Sequence, residues 1–312
     1  MDLTRREMLQ AVGGTAVLSA AACGNSKDAS SEAYGGTGGT TATAVRLPTV
    51  YLPHGGGPWP FVETGFGAPG VLESYLKRLS NLPPVRPSAL LIVSAHWEAA
   101  RPTVMAAENP PMLYDYYGFP EEAYHVQWPA PGAPDLAETV RERLESAKIP
   151  AALDASRGFD HGTFAVTALA YPEAEIPTLQ LSLNRNLDPA EHLRIGRALA
   201  PFRDEGVFII GSGMSYHNLP RFMEVFRGNS DAAARESRAF DDWLYEAVSA
   251  EPDTRDTRLA EWERAPSARA CHPREEHLLP LMVIAGAGGD DPGKVPYRDV
   301  IYGAHTSAVQ FG

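Results

Sequence analysis

Short apolar runs alternate with amphipathic stretches from about residue 46 to the C-terminus. Runs rich in Leu or β-branched residues predict buried strands at 50–53, 89–96, 176–183 and 207–211. Apolar residues at helical spacing predict helices at 135–147, 192–202, 230–249 and 277–285. This alternation predicts a single α/β domain with a central, largely parallel sheet flanked by helices. Its functional site is expected at the C-terminal ends of the strands.

The segment 101–134 departs from this pattern, because Pro, Gly and aromatic residues dominate it. A long irregular segment in a compact domain is usually a functional loop or a lid. Its aromatic side chains, which include Tyr116, Phe119 and Trp128, could equally pack against the sheet. The sequence leaves both interpretations open.

The N-terminal residues 1–23 have the pattern of an export signal. Arg5-Arg6 resembles the twin-arginine motif, and the apolar stretch at 11–22 that follows is too short to span a bilayer comfortably. We expect a periplasmic or otherwise extracytoplasmic protein, in which Cys23 is either lipidated as a membrane tether or cleaved away. Residues 24–45 are small and polar and predict a flexible linker. The catalytic domain is therefore expected at 46–312.

Composition narrows the function classes. The chain has 27 Lys and Arg residues against 39 Asp and Glu residues, a formal net charge of −12. This balance argues against nucleic acid as a partner, because phosphate binding needs clustered basic residues. Cys271 is the single cysteine outside the signal, so neither a disulfide framework nor a cysteine-based zinc site is expected. The oligomeric state is not indicated.

Five histidines lie at the ends of apolar runs or in glycine-rich turns. They are His54, His96, His161, His217 and His277. Three imidazoles, or two with a carboxylate, are what zinc and non-haem iron need, with a position left open for water or substrate. Glu276 therefore competes with His277 as a ligand. His192, on a helix expected to face solvent, is a weaker candidate.

The ordered motifs resemble a known family. They are HGGGP at 54–58, SAHW at 94–97, DHGTF at 160–164, YPEAEIPTLQLSL at 171–183, GSGMSYHNL at 211–219 and EHLLPL at 276–281. Together they resemble the class III extradiol ring-cleavage dioxygenases, most closely the 4,5-DOPA extradiol dioxygenase branch. The resemblance extends over roughly 46–312.

The resemblance implies a role for each histidine. His54, His96 and His277 match the ligands of one divalent non-haem metal ion per chain, which is Fe(II) for dioxygenase activity, with Zn(II) as the alternative. His217 matches the catalytic acid/base, and His161 matches a histidine that contacts substrate or oxygen. The implied partners are O2 and a small catechol-type aromatic substrate.

Three departures from the family pattern bear on the identity of the substrate more than on the metal site. HGGGP replaces the more usual HGSP, Phe164 stands where Trp is common, and Trp128 stands where Tyr usually precedes PAPG. If Phe119, Trp97 or Phe164 lines the pocket, its ring would stack on the substrate ring.

Two other functions remain open from the residues alone. Three neutral histidines suit Zn²⁺ at least as well as Fe²⁺, and a zinc-bound water with His217 or His161 as base would give a hydrolase. A non-catalytic exported binder of a metal or a small ligand is the third alternative. The histidines beyond the three ligands argue against it, because a binder needs no acid/base.

Overall fold

The computed structural model describes residues 45–62, 70–228 and 231–312. The predicted export signal at 1–23 and nearly all of the predicted linker, 24–44, lie outside the described residues. Over the part that is described, no helix has the length and apolar character needed to cross a membrane.

One mixed sheet forms the centre of the domain. The described strands are β1 (Thr49–Pro53), β2 (Ala89–Ala99), β3 (Thr103–Met105), β4 (Ala152–Asp154), β5 (Thr178–Asn184), β6 (Val207–Gly213), β7 (Gly293–Ile301) and β8 (Ala304–Phe311). Their order in the sheet is β4-β3-β5-β2-β6-β1-β8-β7. The centre, β5-β2-β6-β1, is parallel, whereas β8 and β7 add an antiparallel edge.

Helices cover both faces of the sheet. The described α-helices are α1 (Gly70–Lys77), α2 (Pro134–Ser146), α3 (His161–Ala170), α4 (Pro189–Leu199), α5 (Leu219–Phe226), α6 (Asp231–Val248), α7 (Pro252–Ala260), α8 (Ala268–Cys271) and α9 (Leu279–Gly288). Helices α2, α4, α6 and α9 contribute to one hydrophobic core, and α1 and α3 contribute to the other. Alternate residues of β2 enter the two cores, Leu91 and Val93 on one side and Leu90 and Ile92 on the other. A central strand buried on both faces is apolar throughout for this reason.

Helices α4 and α9 pack with their backbones in close approach. A Cβ atom added at Gly196 would lie 2.0 Å from the carbonyl oxygen of Val283, and one added at Gly286 would lie 2.1 Å from that of Leu193. Only glycine permits this separation. The contact seats α9, and with it the residues just before α9, against the sheet.

The predicted fold class is confirmed, and the four predicted strands are the four that form the parallel centre of the sheet. The four predicted helices correspond to α2, α4, α6 and α9, with bounds that differ by a few residues. The expectation that His192 faces solvent was wrong, because its side chain is fully buried. Its ring accepts the backbone N–H of Asn184 at 3.1 Å and donates to the carbonyl oxygen of Asp188 at 2.7 Å, so it ties α4 to the end of β5.

Candidate metal and catalytic site

Three histidines from distant parts of the chain meet at the C-terminal edge of the parallel strands. His54 follows β1 directly, His96 lies near the end of β2, and His277 precedes α9. The Nε2 atom of His96 lies 3.2 Å from Nε2 of His54 and 3.3 Å from Nε2 of His277. His54 and His96 are 42 residues apart in the sequence, and His96 and His277 are 181 residues apart, so only the tertiary fold brings these rings together.

The local backbone explains how each ring reaches this point. The pairing of β2 with β5 shifts register between Ser94 and Glu98, so His96 lies within an irregular stretch at the strand end. The backbone N–H of His54 donates to the carbonyl oxygen of Gly213 at 3.2 Å, which extends the pairing of β1 with β6. A Cβ atom at Gly213 would lie 2.2 Å from the carbonyl oxygen of His277, so β6 must end in glycine for His277 to approach.

The main chain of His277 is fixed by two further hydrogen bonds. The hydroxyl of Tyr51 donates to its carbonyl oxygen at 2.8 Å, and the backbone N–H of Met214 donates to the same oxygen at 3.0 Å. Both donors belong to the sheet or to the residue just after it. The third ring is therefore held on the sheet although it comes from a helix start.

The chemistry of these rings suits a bound cation. Burial, and then the neighbouring imidazoles, hold the pKa values of His54, His96 and His277 well below the ordinary value of 6.5. Neutral imidazoles with converging nitrogen lone pairs form a ready ligand set for a divalent metal. The three residues could hold one ion through Nε2 and leave positions open for other ligands.

Asp115 joins two of the predicted site histidines. One of its carboxylate oxygens lies 2.8 Å from Nδ1 of His161, and the other lies 3.2 Å from Nδ1 of His96. The backbone N–H of His161 also donates to Asp115 at 2.9 Å. Burial acts to raise the pKa of Asp115, but the hydrogen bond and charge of His161 outweigh it and bring the pKa to about 2. The carboxylate is thus ionised and orients both rings.

Glu276 contacts two site histidines in the same way as Asp115 does. Its Oε1 atom lies 2.9 Å from Nδ1 of His277 and 3.1 Å from Nδ1 of His217. The rings of His217 and His277 are stacked, with centroids 3.4 Å apart and an interplanar angle of 18°. Because Glu276 contacts the side of the His277 ring opposite Nε2, the geometry favours His277 over Glu276 as the residue facing His54 and His96.

A cavity of about 570 Å³ opens beside these rings. All five predicted site histidines line it: His54, His96, His161, His217 and His277. Most of the remaining lining residues are apolar or aromatic, among them Tyr116, Tyr117, Phe119, Met214, Leu219, Phe222, Met223 and Tyr302. The arrangement is a concave apolar site with a few converging polar groups, which is the usual form of a small-molecule site.

The segment 101–134, for which the sequence left two interpretations open, fits both: Tyr116, Tyr117 and Phe119 line the cavity, whereas Trp128 packs in the core. Of the three aromatic residues that would stack on the substrate if they lined the pocket, Phe119 lines the cavity. Trp97 and Phe164 are buried and are not among its lining residues, and the guanidinium of Arg157 lies 4.9 Å from the Trp97 ring centroid. The sequence could not separate the three, because sequence order does not show which face of its element a ring occupies.

Sequence reasoning also missed the role of Asp115. Asp160, the residue before His161, caps α3 by accepting the backbone N–H of Thr163 at 3.1 Å, whereas Asp115 orients the His161 ring. The available signal was an isolated carboxylate within the aromatic stretch Tyr114–Tyr117.

Comparison with known proteins agrees with this geometry. The family model described as the catalytic LigB subunit of aromatic ring-opening dioxygenase matches residues 60–312. The chain belongs to this family. The resemblance to class III extradiol dioxygenases is therefore confirmed. Dioxygenases of the LigB family use a non-haem metal, and the three-histidine cluster of this chain is a candidate site for it.

Curated relatives of this LigB-family chain cover most of its length. A 4,5-DOPA dioxygenase extradiol of Portulaca grandiflora is 38% identical over 243 residues, which cover 78% of this chain and 86% of the relative. The protein of the same name from Escherichia coli K12 is 33% identical, covering 86% of this chain and 96% of the relative. Dioxygenase tasH of Hapsidospora irregularis is 36% identical, covering 85% of each.

A solved structure shares the fold. The crystal structure of an uncharacterized protein from Escherichia coli K12 matches with a TM-score of 0.70 and 31% identity, covering 86% of this chain and all of that chain. Family and relatives together support an oxidoreductase of the dioxygenase class.

Proposed function

We propose that this chain is an Fe(II)-dependent extradiol dioxygenase that inserts O2 into the ring of a catechol-type substrate. The observation that carries the proposal is the convergence of three Nε2 atoms, with one further histidine on each side held by its own carboxylate. Bound through His54, His96 and His277, the iron would supply a common site at which catechol and O2 meet and react.

The chain's own residues would manage the protons. With Nδ1 of His217 directed at Glu276, its Nε2 is the nitrogen available to accept a catechol proton and later return it. Such acid/base assistance is typically worth about 10²–10⁴-fold in rate. His161, fixed by Asp115 and lining the same cavity, would form a hydrogen bond through Nε2 with substrate or oxygen.

The first experiment measures metal and activity together. Protein purified without chelators is analysed for metal, reconstituted anaerobically with Fe(II), and tested for oxygen uptake with a small catechol panel. We expect iron-dependent uptake and a yellow ring-opened product. Tightly held zinc with no uptake after iron reconstitution would overturn the proposal in favour of a zinc hydrolase or a binder.

A substitution separates catalysis from binding. His217→Ala is expected to retain iron and lose about 10²-fold or more of kcat. His125→Ala is the matched control, because the His125 side chain is 68% exposed and lies outside the cavity lining. Full ring-cleavage activity in His217→Ala would show that His217 is not the acid/base.

We further propose that residues 1–23 direct export through the twin-arginine route, with Cys23 as a lipid attachment point or as a residue lost on cleavage. The supporting observation is Arg5-Arg6 followed by a short apolar stretch. Fractionation of cells expressing the full chain should find it outside the cytoplasm, and changing both arginines to lysine should retain it inside. A cytoplasmic location for both forms would overturn this proposal.

A further inference from the structure

Two chain segments bring exposed apolar side chains to the mouth of the cavity. Tyr117, from the segment between β3 and α2, is 92% exposed. From a second segment of the same lining, α5 contributes Leu219 and Met223, which are 61% and 48% exposed. Exposed apolar side chains grouped beside a cavity are typical of a ligand-binding surface. They continue the apolar lining outward from Phe119 and Phe222.

The described lining of the same cavity offers no positive side chain to an anionic substituent. Among the described residues that line it, none is Lys or Arg. Arg221 on α5 is the basic residue between Leu219 and Met223 in the sequence. Its guanidinium already pairs with the carboxylates of Glu224 at 2.8 Å and Glu236 at 3.1 Å.

The single carboxylate among the described lining residues is Asp115, and His96 and His161 already hold it. A substrate carboxylate in the outer part of the cavity would therefore gain no side-chain cation from the described lining residues in return for the water it loses, which is unfavourable.

The cavity is also larger than one aromatic ring requires. Its volume of about 570 Å³ lies in the range of ~300–1,000 Å³ that accommodates drug-sized ligands. A catechol ring placed against the three histidines would leave the apolar outer part for whatever the ring carries. The outer part determines what kind of substituent is accepted.

We infer that the substrate of this chain is a catechol with an uncharged, apolar substituent that extends from the ring towards Tyr117, Leu219 and Met223. This inference rests on the proposed dioxygenase function. It separates the chain from the relatives named for DOPA, an amino acid that carries both a carboxylate and an ammonium group. Here recognition of the substituent comes from apolar burial and from the absence of a compensating charge in the described lining.

The test compares matched catechols with the iron-loaded full chain. One series is catechol and its 4-methyl, 4-ethyl, 4-propyl and 4-butyl derivatives. A matched pair is 3-(3,4-dihydroxyphenyl)propanoate and its methyl ester, with L-DOPA as the zwitterionic case. We expect kcat/KM to rise about threefold to fourfold per added methylene, as burial of one CH₂ predicts. The ester should exceed the acid at least tenfold.

Binding gives a second readout that does not depend on turnover. Anaerobic calorimetry with 4-butylcatechol and with the propanoate should show tighter binding of the former. It should also show a more negative heat-capacity change, the mark of apolar burial.

A substitution at the rim should shift the preference. Met223→Lys places a cation beside the outer cavity and should raise the ratio of acid to ester turnover at least tenfold. Val71→Lys is the matched control, because Val71 on α1 is also an exposed apolar residue, at 60%, but lies outside the lining. The control should leave the ratio unchanged.

The outcomes separate this inference from the proposed function. Turnover of unsubstituted catechol without any gain from chain length, or with acid equal to ester, would overturn the substrate class and leave the dioxygenase intact. If no catechol in the set supports oxygen uptake, the dioxygenase proposal is overturned, and the inference about the substrate falls with it.

Discussion

The Oε1 atom of Glu276 lies 3.1 Å from Nδ1 of His217. Burial acts to raise the pKa of Glu276, but the hydrogen bond and charge of His217, with Arg274, lower it below the ordinary value of 4.5. An ionised carboxylate at Nδ1 selects the tautomer of His217 with the proton on that nitrogen, and it steadies the ring when the second nitrogen takes a proton. The pair therefore has the geometry of an oriented acid/base.

Removing the charge of Glu276 tests this orientation. Glu276→Gln, compared at equal iron content because Glu276 also contacts Nδ1 of His277, should reduce kcat about 10–100-fold, since a neutral amide fixes the tautomer of His217 less strongly than a carboxylate. Steady-state oxygen uptake at saturating catechol measures the effect. Glu275→Gln is the control, since the Glu275 side chain pairs with Arg269 at 2.6 Å. An unchanged kcat in Glu276→Gln would show that the carboxylate does not position His217.

Asp115 should matter to metal binding as well as to rate. Asp115→Asn removes the charge that holds Nδ1 of His96, a candidate ligand, so iron affinity should fall about 10–100-fold. Competition with a chelator of known affinity measures the loss directly. Glu122→Gln, at an exposed site on the same segment, should bind iron as the wild type does. Equal affinity in Asp115→Asn would confine its role to His161.

His272 should make stability sensitive to acid. Its ring is fully buried and donates through Nε2 to the carbonyl oxygen of Ser215 at 3.0 Å. Burial lowers its pKa from the ordinary value of 6.5 to about 3. The unfolded chain binds the proton first, so this contribution is complete above about pH 6.5. It is lost at about 1.4 kcal/mol per pH unit as the pH falls from there towards 3.

Urea denaturation between pH 7.5 and pH 5 measures this dependence. His272→Gln should unfold more easily at pH 7.5 but show a shallower decline of the free energy of unfolding with falling pH. The difference in slope between the two proteins isolates His272 from the other buried histidines. Parallel slopes would contradict a neutral buried ring.

The contact between α4 and α9 should not tolerate a methyl group. Gly196→Ala places Cβ against the carbonyl oxygen of Val283, so the free energy of unfolding should fall by about 1–3 kcal/mol or more. Gly70→Ala is the control, because no described atom lies within 4 Å of its Cβ position. Chemical denaturation measures the free energy of unfolding of both variants. If Gly196→Ala were as stable as the wild type, the two helices could move apart at little cost.

The parallel centre of the fold was accessible from the sequence alone. A strand buried on both faces must be a continuous apolar run, and a helix that covers it must carry an apolar stripe. Local sequence patterns therefore sufficed to predict β1, β2, β5 and β6. The five site histidines were accessible as candidates for a related reason, since open α/β sheets build their sites at the carboxyl ends of strands and most of these histidines follow predicted strands.

Only the tertiary structure decided which groups meet. His192 looked exposed by helical position, but the end of β5 covers it and uses its ring as an acceptor. Asp115 lies in an irregular segment, where no periodicity reports direction, so its place between His96 and His161 could not be read from sequence. The apolar rim of Tyr117, Leu219 and Met223 likewise joins two segments about 100 residues apart. Local sequence patterns determine helices and strands because the interactions that form them join residues close in sequence. A functional site depends on distances between residues far apart in sequence, and these distances are set only when the chain packs.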